Sequence, residues 1–364
     1  MRRLLVIPAC ALVAAATAEV LLRCAEPPDI YFRPWYKNGI HRPDPLYGFR
    51  WTPGYDGYMR HPDRVYTPVP LRLNEFGFRL PVASSHAGPD ALRVLLLGGR
   101  SMMFCYGLAD DETIAGRMAA VSPRPVVVQN VALAGVDLYH NWHLAREQIE
   151  AFRPDVIFIC LYKKDPASFF EFAPDFTRLP PPPATEEELF VLWDGIAGGR
   201  GPLVNRLGRR HDASYVLYGL CNIEDRIQNN LDRVHSWVRR RQEQGKIPTP
   251  QDEMRSRGLA LFLQHIAGSP VSGGAVTGIV LLPQRNKPAG LYGEFVNFLP
   301  GEIPRIDVHA GLAGELGRLP WIADNHYGRE LADRIARPMV DEALRLHAAR
   351  QGRGPAADAS PSDP

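Results

Sequence analysis

The stretch RVLLLGGRSMMFCYG, residues 93–107, decides the fold that the sequence predicts. Its uninterrupted apolar run, residues 94–97, is typical of a strand that is covered on both faces in a parallel sheet. Gly98 and Gly99 end this strand, and Ser101 follows shortly after. Ligands bind at the carboxyl ends of strands in open α/β sheets, so Ser101 is a candidate for chemistry. The alternative is a serine that only caps the next helix.

Further apolar segments alternate with helical patterns along the chain, as they do in parallel α/β proteins. We therefore predict an α/β protein with a three-layer α/β/α, flavodoxin-like fold and a central parallel sheet of about five strands. The predicted strands are 93–97, 125–130, 155–161, 278–282 and 305–308. The predicted helices are 112–120, 141–152, 259–266 and 329–349.

Composition and charge are those of an ordinary globular protein. The chain has 364 residues, of which 45% are hydrophobic and 23% charged, and this is enough for one large α/β domain or two small ones. Its net charge of +2 gives no reason to expect a nucleic-acid partner. The five cysteines are too few for a disulfide scaffold and lack metal-ligand spacing. Cys105 and Cys160 are predicted to be small buried residues.

The amino terminus indicates export. Arg2 and Arg3 precede an Ala-rich apolar segment, residues 4–22, and the small residues 16–18 suit signal-peptidase cleavage. We interpret residues 1–27 as a signal anchor or a signal peptide, and favour a retained transmembrane anchor. The bulk of the chain would then face the periplasm or the extracellular side of the inner membrane; cleavage would instead make it a secreted protein.

Composition also suggests where the domains begin and end. Residues 28–90 are rich in Pro, Tyr and Arg and are predicted to pack on the core as short strands and turns. Residues 91–350 form the main domain, interrupted by an insertion at about 166–256 that holds a four-proline run and a predicted amphipathic helix over 223–238. Residues 351–364 form a tail that we predict to be disordered.

Residues able to serve in serine-based catalysis stand at the edges of several predicted core elements. A serine hydrolase needs a nucleophile, a base, a group that orients the base and donors for the oxyanion. The candidates, in chain order, are Ser101 after the first strand, Gly135 after the second, Lys164 and Asp165 after the third, and Asp324 and His326 before the last helix. Among the other histidines, His140 and His143 are predicted to be structural and His309 to lie in a loop.

This order of motifs resembles the SGNH (GDSL-type) hydrolase family. Gly99-Arg100-Ser101 resembles its first block, and the glycine of its second block matches Gly135 in Asn-Val-Ala-Leu-Ala-Gly, residues 130–135. Lys164-Asp165 falls on the third block, and Asp324 with His326 matches the Asp-x-His of the last. Asn74, Gly77, Phe78 and Arg79 resemble an Asn-x-x-Gly-Phe-Arg segment of membrane-anchored bacterial members. The resemblance covers about residues 42–346, apart from the insertion.

The resemblance implies a role for each of these residues. Ser101 would be the nucleophile, His326 the base and Asp324 the group that orients it. The backbone N–H groups of Ser101 and Gly135 would donate to the oxyanion, with Lys164 as a third donor. The family also implies the strand order 2-1-3-4-5 and a reaction that needs no cofactor and no metal.

Two departures from the family pattern leave two functions open. Arg100 stands where the family has Asp, and Lys164 where it has the oxyanion Asn. The chain is either an ester hydrolase or acyltransferase acting on an O-acyl group, such as one on an envelope glycan or lipid, or an inactive relative. The inactive relative would bind an acylated or anionic ligand, because the two cations add positive charge to the cleft. Asp165 could pair with either cation. The oligomeric state is not indicated.

Overall fold

A computed structural model describes residues in the amino-terminal and the carboxyl-terminal parts of the chain. The described residues are 2–24, 40–44, 48–59, 68–98, 103–134, 136–162, 165, 250–285, 287, 292, 296–322 and 326–352. The chain divides into two compact units, the first comprising residues 1–50 and 181–247 and the second residues 51–180 and 248–364. The predicted helix over 223–238 and most of the insertion lie outside the described residues, as does the tail from residue 353.

The first unit contains a helix and most of a small two-stranded sheet. Helix α1 spans Arg2–Cys24, and the sheet pairs β1, His41–Asp44, with β2, Gly48–Trp51. Across the described parts of the chain, no helix is both long enough and apolar enough to cross a membrane.

The second unit contains the α/β core. Its strands are β3 Asp56–Met59, β4 Val69–Arg72, β5 Val82–Ala83, β6 Leu92–Gly98, β7 Val126–Asn130, β8 Val156–Leu161, β9 Val276–Leu281 and β10 Arg305–Asp307. Its helices are α2 Ile114–Val121, α3 Leu138–Phe152, α4 Pro250–Gly268, α5 Val308–Leu312 and α6 Arg329–Arg350. Residues 250–256, which we assigned to the insertion, form the start of α4.

The core sheet confirms the predicted α/β fold class. Its order is β10-β9-β8-β6-β7-β5, and β6 to β10 pair in parallel. Numbered along the chain, these five strands have the order 2-1-3-4-5 that the resemblance implies. The sequence did not predict β5, which comes from the segment before the core and pairs antiparallel with β7 at the edge.

Helices cover both faces of this sheet. Val94 and Leu96 of β6 belong to a buried cluster that also contains apolar residues of α2 and α6. The intervening Leu95 and Leu97 are equally buried but lie outside that cluster, because successive side chains of a strand point to opposite faces. Helix α3 contacts β6 from this second face. The continuous apolar run of β6 is thus explained by its two-sided burial.

Capping residues set the starts of two helices. Helix α2 begins at Ile114 rather than at 112 because the Thr113 hydroxyl accepts a hydrogen bond from Gly116 N at 3.1 Å. Helix α3 begins at Leu138 rather than at 141 because Asp137 accepts from His140 N at 2.9 Å. The loop between β7 and α3 is therefore three residues shorter at its carboxyl end than predicted.

Candidate active site

The structure describes the frame of the candidate site and two of its predicted residues. Asp165 and His326 are described, together with residues on both sides of every other candidate. Arg100, Ser101, Gly135, Lys164 and Asp324 lie outside the described residues. The geometry below is therefore that of the residues that precede and follow these five in sequence.

The end of β6, which leads into Ser101, requires glycine. Gly98 has φ +86°, and a Cβ there would lie 2.8 Å from Leu138 Cδ1 of α3 and 3.0 Å from the Cys160 carbonyl oxygen. Its N–H donates to Asn141 Oδ1 at 3.0 Å. Absence of a side chain thus allows α3 and β8 to approach the strand directly before the candidate nucleophile.

We expect Gly98→Ala to lower the free energy of unfolding by about 2–3 kcal/mol, because left-handed backbone strain adds to a steric overlap with α3 and β8. Urea unfolding measures the loss. Gly273→Ala is the matched control, since Gly273 has φ +60° but nothing within 4 Å of its Cβ position. The control is expected to lose only about 1 kcal/mol. Equal losses in both variants would show that close packing at Gly98 is unimportant.

Two buried asparagines join the loops that follow β6 and β7. Asn130 Nδ2 donates to the Met103 carbonyl at 2.7 Å, while its Oδ1 accepts from Ala132 N at 2.9 Å. Asn141 Nδ2 donates to the Val131 carbonyl at 2.6 Å, and its Oδ1 holds β6 as described above. The segment after Ser101 and the segment before Gly135 are therefore tied to one another. Polar residues at the ends of apolar segments were the only sequence signal for this role.

The segment after Ser101 is also held from the amino-terminal side of the core. Arg79 is 2% exposed, forms an ion pair with Asp110, and donates to the Phe104 carbonyl at 3.1 Å and the Leu108 carbonyl at 3.0 Å. Asn74 closes the turn that leads to Arg79, because its Oδ1 accepts from Phe78 N at 3.0 Å. The Asn-x-x-Gly-Phe-Arg segment is thus built to place a guanidinium beneath this loop.

His326 is held through its backbone, and its ring faces the segment that follows Ser101 in sequence. Ile322 N donates to the His326 carbonyl at 2.9 Å, and Trp321 and Tyr327 form a β-bridge outside this turn. The buried Tyr327 hydroxyl donates to the Pro283 carbonyl at 2.9 Å. The His326 ring centroid is 5.9 Å from that of Tyr106. The structure therefore brings His326 to the segment 103–110, which follows Ser101 in sequence.

Asp165 closes the turn that follows β8. It is 1% exposed, its carboxylate accepts a hydrogen bond from Tyr162 N, and its own N–H donates to the Tyr162 carbonyl at 2.9 Å. These two contacts, which the sequence did not suggest, join Asp165 to the residue directly after β8.

Cys105, the cysteine nearest to Ser101 in the sequence, is poorly suited to be the nucleophile. Cys105 is fully buried, and this burial raises the pKa of its thiol to about 11. The thiolate is therefore scarce near neutral pH. Cys160 is also fully buried, as predicted.

Two other histidines have defined surroundings. His140 Nδ1 lies 2.9 Å from Asp137 Oδ1, and 28% of its side chain is exposed. Burial would lower the pKa of His140, but the hydrogen bond and charge of Asp137 outweigh it and raise the pKa. The loop prediction for His309 is wrong: it lies fully buried in α5, close to Gln284 N, because Asp307 caps a helix directly after β10.

Comparisons with protein-family models, curated proteins and solved structures returned no match to this chain. The fold and the site are therefore interpreted from the chain's own residues. Among the described residues, no group of three or more His, Cys, Asp or Glu side chains could hold a metal ion. The class supported so far is an α/β protein with a histidine held at the carboxyl edge of a parallel sheet.

Proposed function

We propose that this chain is an exported ester hydrolase or acyltransferase of the SGNH type that uses Ser101, His326 and Asp324. The observation that carries the proposal is the 5.9 Å contact between the His326 and Tyr106 rings. Tyr106 belongs to the segment that follows Ser101, so a candidate base from the end of the chain lies beside the loop of the candidate nucleophile. The strand order 2-1-3-4-5 supports the same class.

The proposed reaction proceeds through an acyl-enzyme. Ser101 Oγ attacks the ester carbonyl carbon while His326 takes the hydroxyl proton and Asp324 orients the imidazole. Backbone N–H groups of Ser101 and Gly135 donate to the oxyanion. Its collapse breaks the ester C–O bond, and His326 returns the proton to the leaving alcohol. Water, or an acceptor alcohol in an acyltransferase, then attacks the acyl-enzyme and releases Ser101.

The proposed substrate is an O-acyl group on a glycan or lipid of the cell envelope. This proposal follows from the predicted export of the chain. Residues 1–27 would either anchor the protein in the membrane, with the bulk of the chain on the outer side, or be cleaved as a signal peptide. No nucleic-acid partner and no cofactor are part of the proposal.

A second candidate function is the binding of an acylated or anionic ligand without catalysis. The observation that favours it is the presence of Arg100 and Lys164 where the family has an acid and an amide. A carboxylate or phosphate would form charge-assisted hydrogen bonds with these cations. Arginine and lysine differ in charge and in side-chain length from the residues that the family has at these positions. Under this second proposal, the cleft binds a ligand and does not catalyse a reaction.

Labelling with a fluorophosphonate separates the two functions, because the reagent needs an activated serine. We expect the full-length chain to be labelled and Ser101→Ala to be unlabelled. Ser122→Ala is the matched control, since the Ser122 hydroxyl donates to the Arg124 carbonyl in a surface turn; its labelling is expected to equal that of the unmodified chain. Absence of labelling in folded unmodified protein would favour the binding function.

A further inference from the structure

The segment 103–110, which follows the candidate nucleophile, has a backbone that needs support. Cys105 has φ +57° and Gly107 has φ +90°, so two residues of this short loop are left-handed. A non-glycine residue in this region costs on the order of 1–2 kcal/mol. The loop therefore keeps this shape only if contacts around it compensate for the cost.

Arg79 supplies these contacts from beneath the loop. Its guanidinium donates to the carbonyls of Phe104 and Leu108, pairs with Asp110 and lies 4.6 Å from the centroid of the Phe104 ring. These groups flank Cys105 on both sides. A planar guanidinium with several fixed donors can bind such a set of oxygens at once, which a lysine ammonium does less well.

A row of aromatic rings leads from this support to His326. The Trp51 and Phe104 centroids are 4.2 Å apart, and the Phe104 and Tyr106 centroids are 6.2 Å apart. The next ring in the row is His326, at 5.9 Å from Tyr106. The Phe104–Tyr106 and Tyr106–His326 separations are within the range of direct ring–ring packing, and the Trp51 and Phe104 rings are closer still. Trp51 precedes the core strands, whereas His326 is close to the end of the chain.

We propose that Tyr106 is a positioning residue for His326, and that Arg79 and Trp51 hold Tyr106 in place. The inference rests on the proposed function and adds a second restraint on the base, besides the carboxylate of Asp324. An imidazole can rotate about two side-chain bonds, and a ring packed on one of its sides limits that rotation. Misplacement of a catalytic group by about 1 Å can cost on the order of 100-fold in rate.

The kinetic test compares Tyr106→Leu with Tyr106→Phe on a short-chain aryl ester. We expect Tyr106→Leu to lower kcat about 10- to 100-fold with KM changed less than about twofold, because a poorly positioned base slows the chemical step. Tyr106→Phe keeps the ring, and its kcat is expected to lie within about threefold of that of the unmodified chain. Tyr58→Leu, which removes an exposed tyrosine ring, is the control and is expected to leave both constants unchanged.

Three outcomes would overturn the positioning role. The first is an unchanged kcat in Tyr106→Leu. The second is an equal loss in Tyr106→Phe and Tyr106→Leu, which would assign the effect to the hydroxyl rather than to the ring. The third is a change in KM alone, which would make Tyr106 a substrate contact.

A second measurement does not depend on activity. In the full-length Ser101→Ala protein with ¹³C-labelled histidine, the His326 ring signal is assigned from its loss in His326→Gln. We expect this signal to shift when Tyr106→Leu removes the neighbouring ring current and to stay in place with Tyr106→Phe. If the His326 signal does not change in Tyr106→Leu, the positioning role of Tyr106 is overturned whatever the activity. If instead the unmodified chain does not react with the fluorophosphonate, only the proposed hydrolase function is overturned.

Discussion

Replacing Arg79 with methionine is expected to lower the free energy of unfolding by about 3 kcal/mol. Methionine keeps most of the apolar length of the side chain but removes every donor. Asp110 and the carbonyls of Phe104 and Leu108 would then lose the partner that the guanidinium provides. The Asp110 side chain is 30% exposed and can be hydrated, so most of the cost comes from the two buried carbonyls that are left without this donor. Urea unfolding followed by tryptophan fluorescence measures the change.

An exposed arginine provides the matched control. Arg337 forms a hydrogen-bonded ion pair with Asp333 at 3.0 Å, but 62% of its side chain is exposed. Arg337→Met is expected to cost less than about 1 kcal/mol, as exposed ion pairs generally do. Arg79→Lys keeps the charge but not the planar fork, so its loss should fall between the two. If Arg79→Met unfolds at the same urea concentration as Arg337→Met, Arg79 does not support the loop.

Replacing Lys164 with asparagine is expected to raise kcat/KM for a short-chain aryl ester about 100-fold, if the chain is a hydrolase. The change introduces the amide that the SGNH family has at the matching position of its third block, where it donates to the oxyanion. One such fixed donor is worth roughly 10²–10³ in turnover. An amide on a short side chain is held in place, whereas an ammonium on a flexible four-carbon chain must be immobilised.

The adjacent lysine is the control for this prediction. Lys163→Asn makes the same chemical change one position earlier and should leave kcat/KM within about twofold, because position 163 does not match the oxyanion asparagine of the third block. An unchanged or lower rate in Lys164→Asn would show that Lys164 already serves as a donor or that the defect lies elsewhere. Under the binding function, Lys164→Asn instead weakens retention of an anionic ligand and leaves hydrolysis absent.

The bounds of the five parallel core strands were predicted to within one or two residues. The start of α3 and the edge strand β5 were not predicted. β6 and β8 are almost continuously apolar, so their two-sided burial could be inferred from composition alone. The start of α3 was placed three residues late because its cap, Asp137, was not recognised as the start signal. β5 was missed because a two-residue strand has no periodicity to detect.

The candidate site was predictable as a list of residue types but not as an arrangement. Ser101, His326 and Asp324 were selected from their places beside core elements and from a family resemblance, and their catalytic roles stay predictions. Asp165 was selected as the acid of the third block and as a charge that could pair with Arg100 or Lys164, and the structure adds a contact with the Tyr162 N–H that was not predicted. A carboxylate in sequence gives no sign of which backbone N–H it will accept from.

The sequence by itself determined the class of fold, because apolar runs of strand length specify buried parallel strands whatever surrounds them. It also determined where glycine and asparagine interrupt those runs. Only the tertiary structure decided that Arg79 supports the loop after Ser101 and that the Tyr106 ring packs against His326. The two rings are separated by more than half of the chain. Contacts of this kind depend on where distant segments meet in space, and no local pattern of residues encodes that meeting.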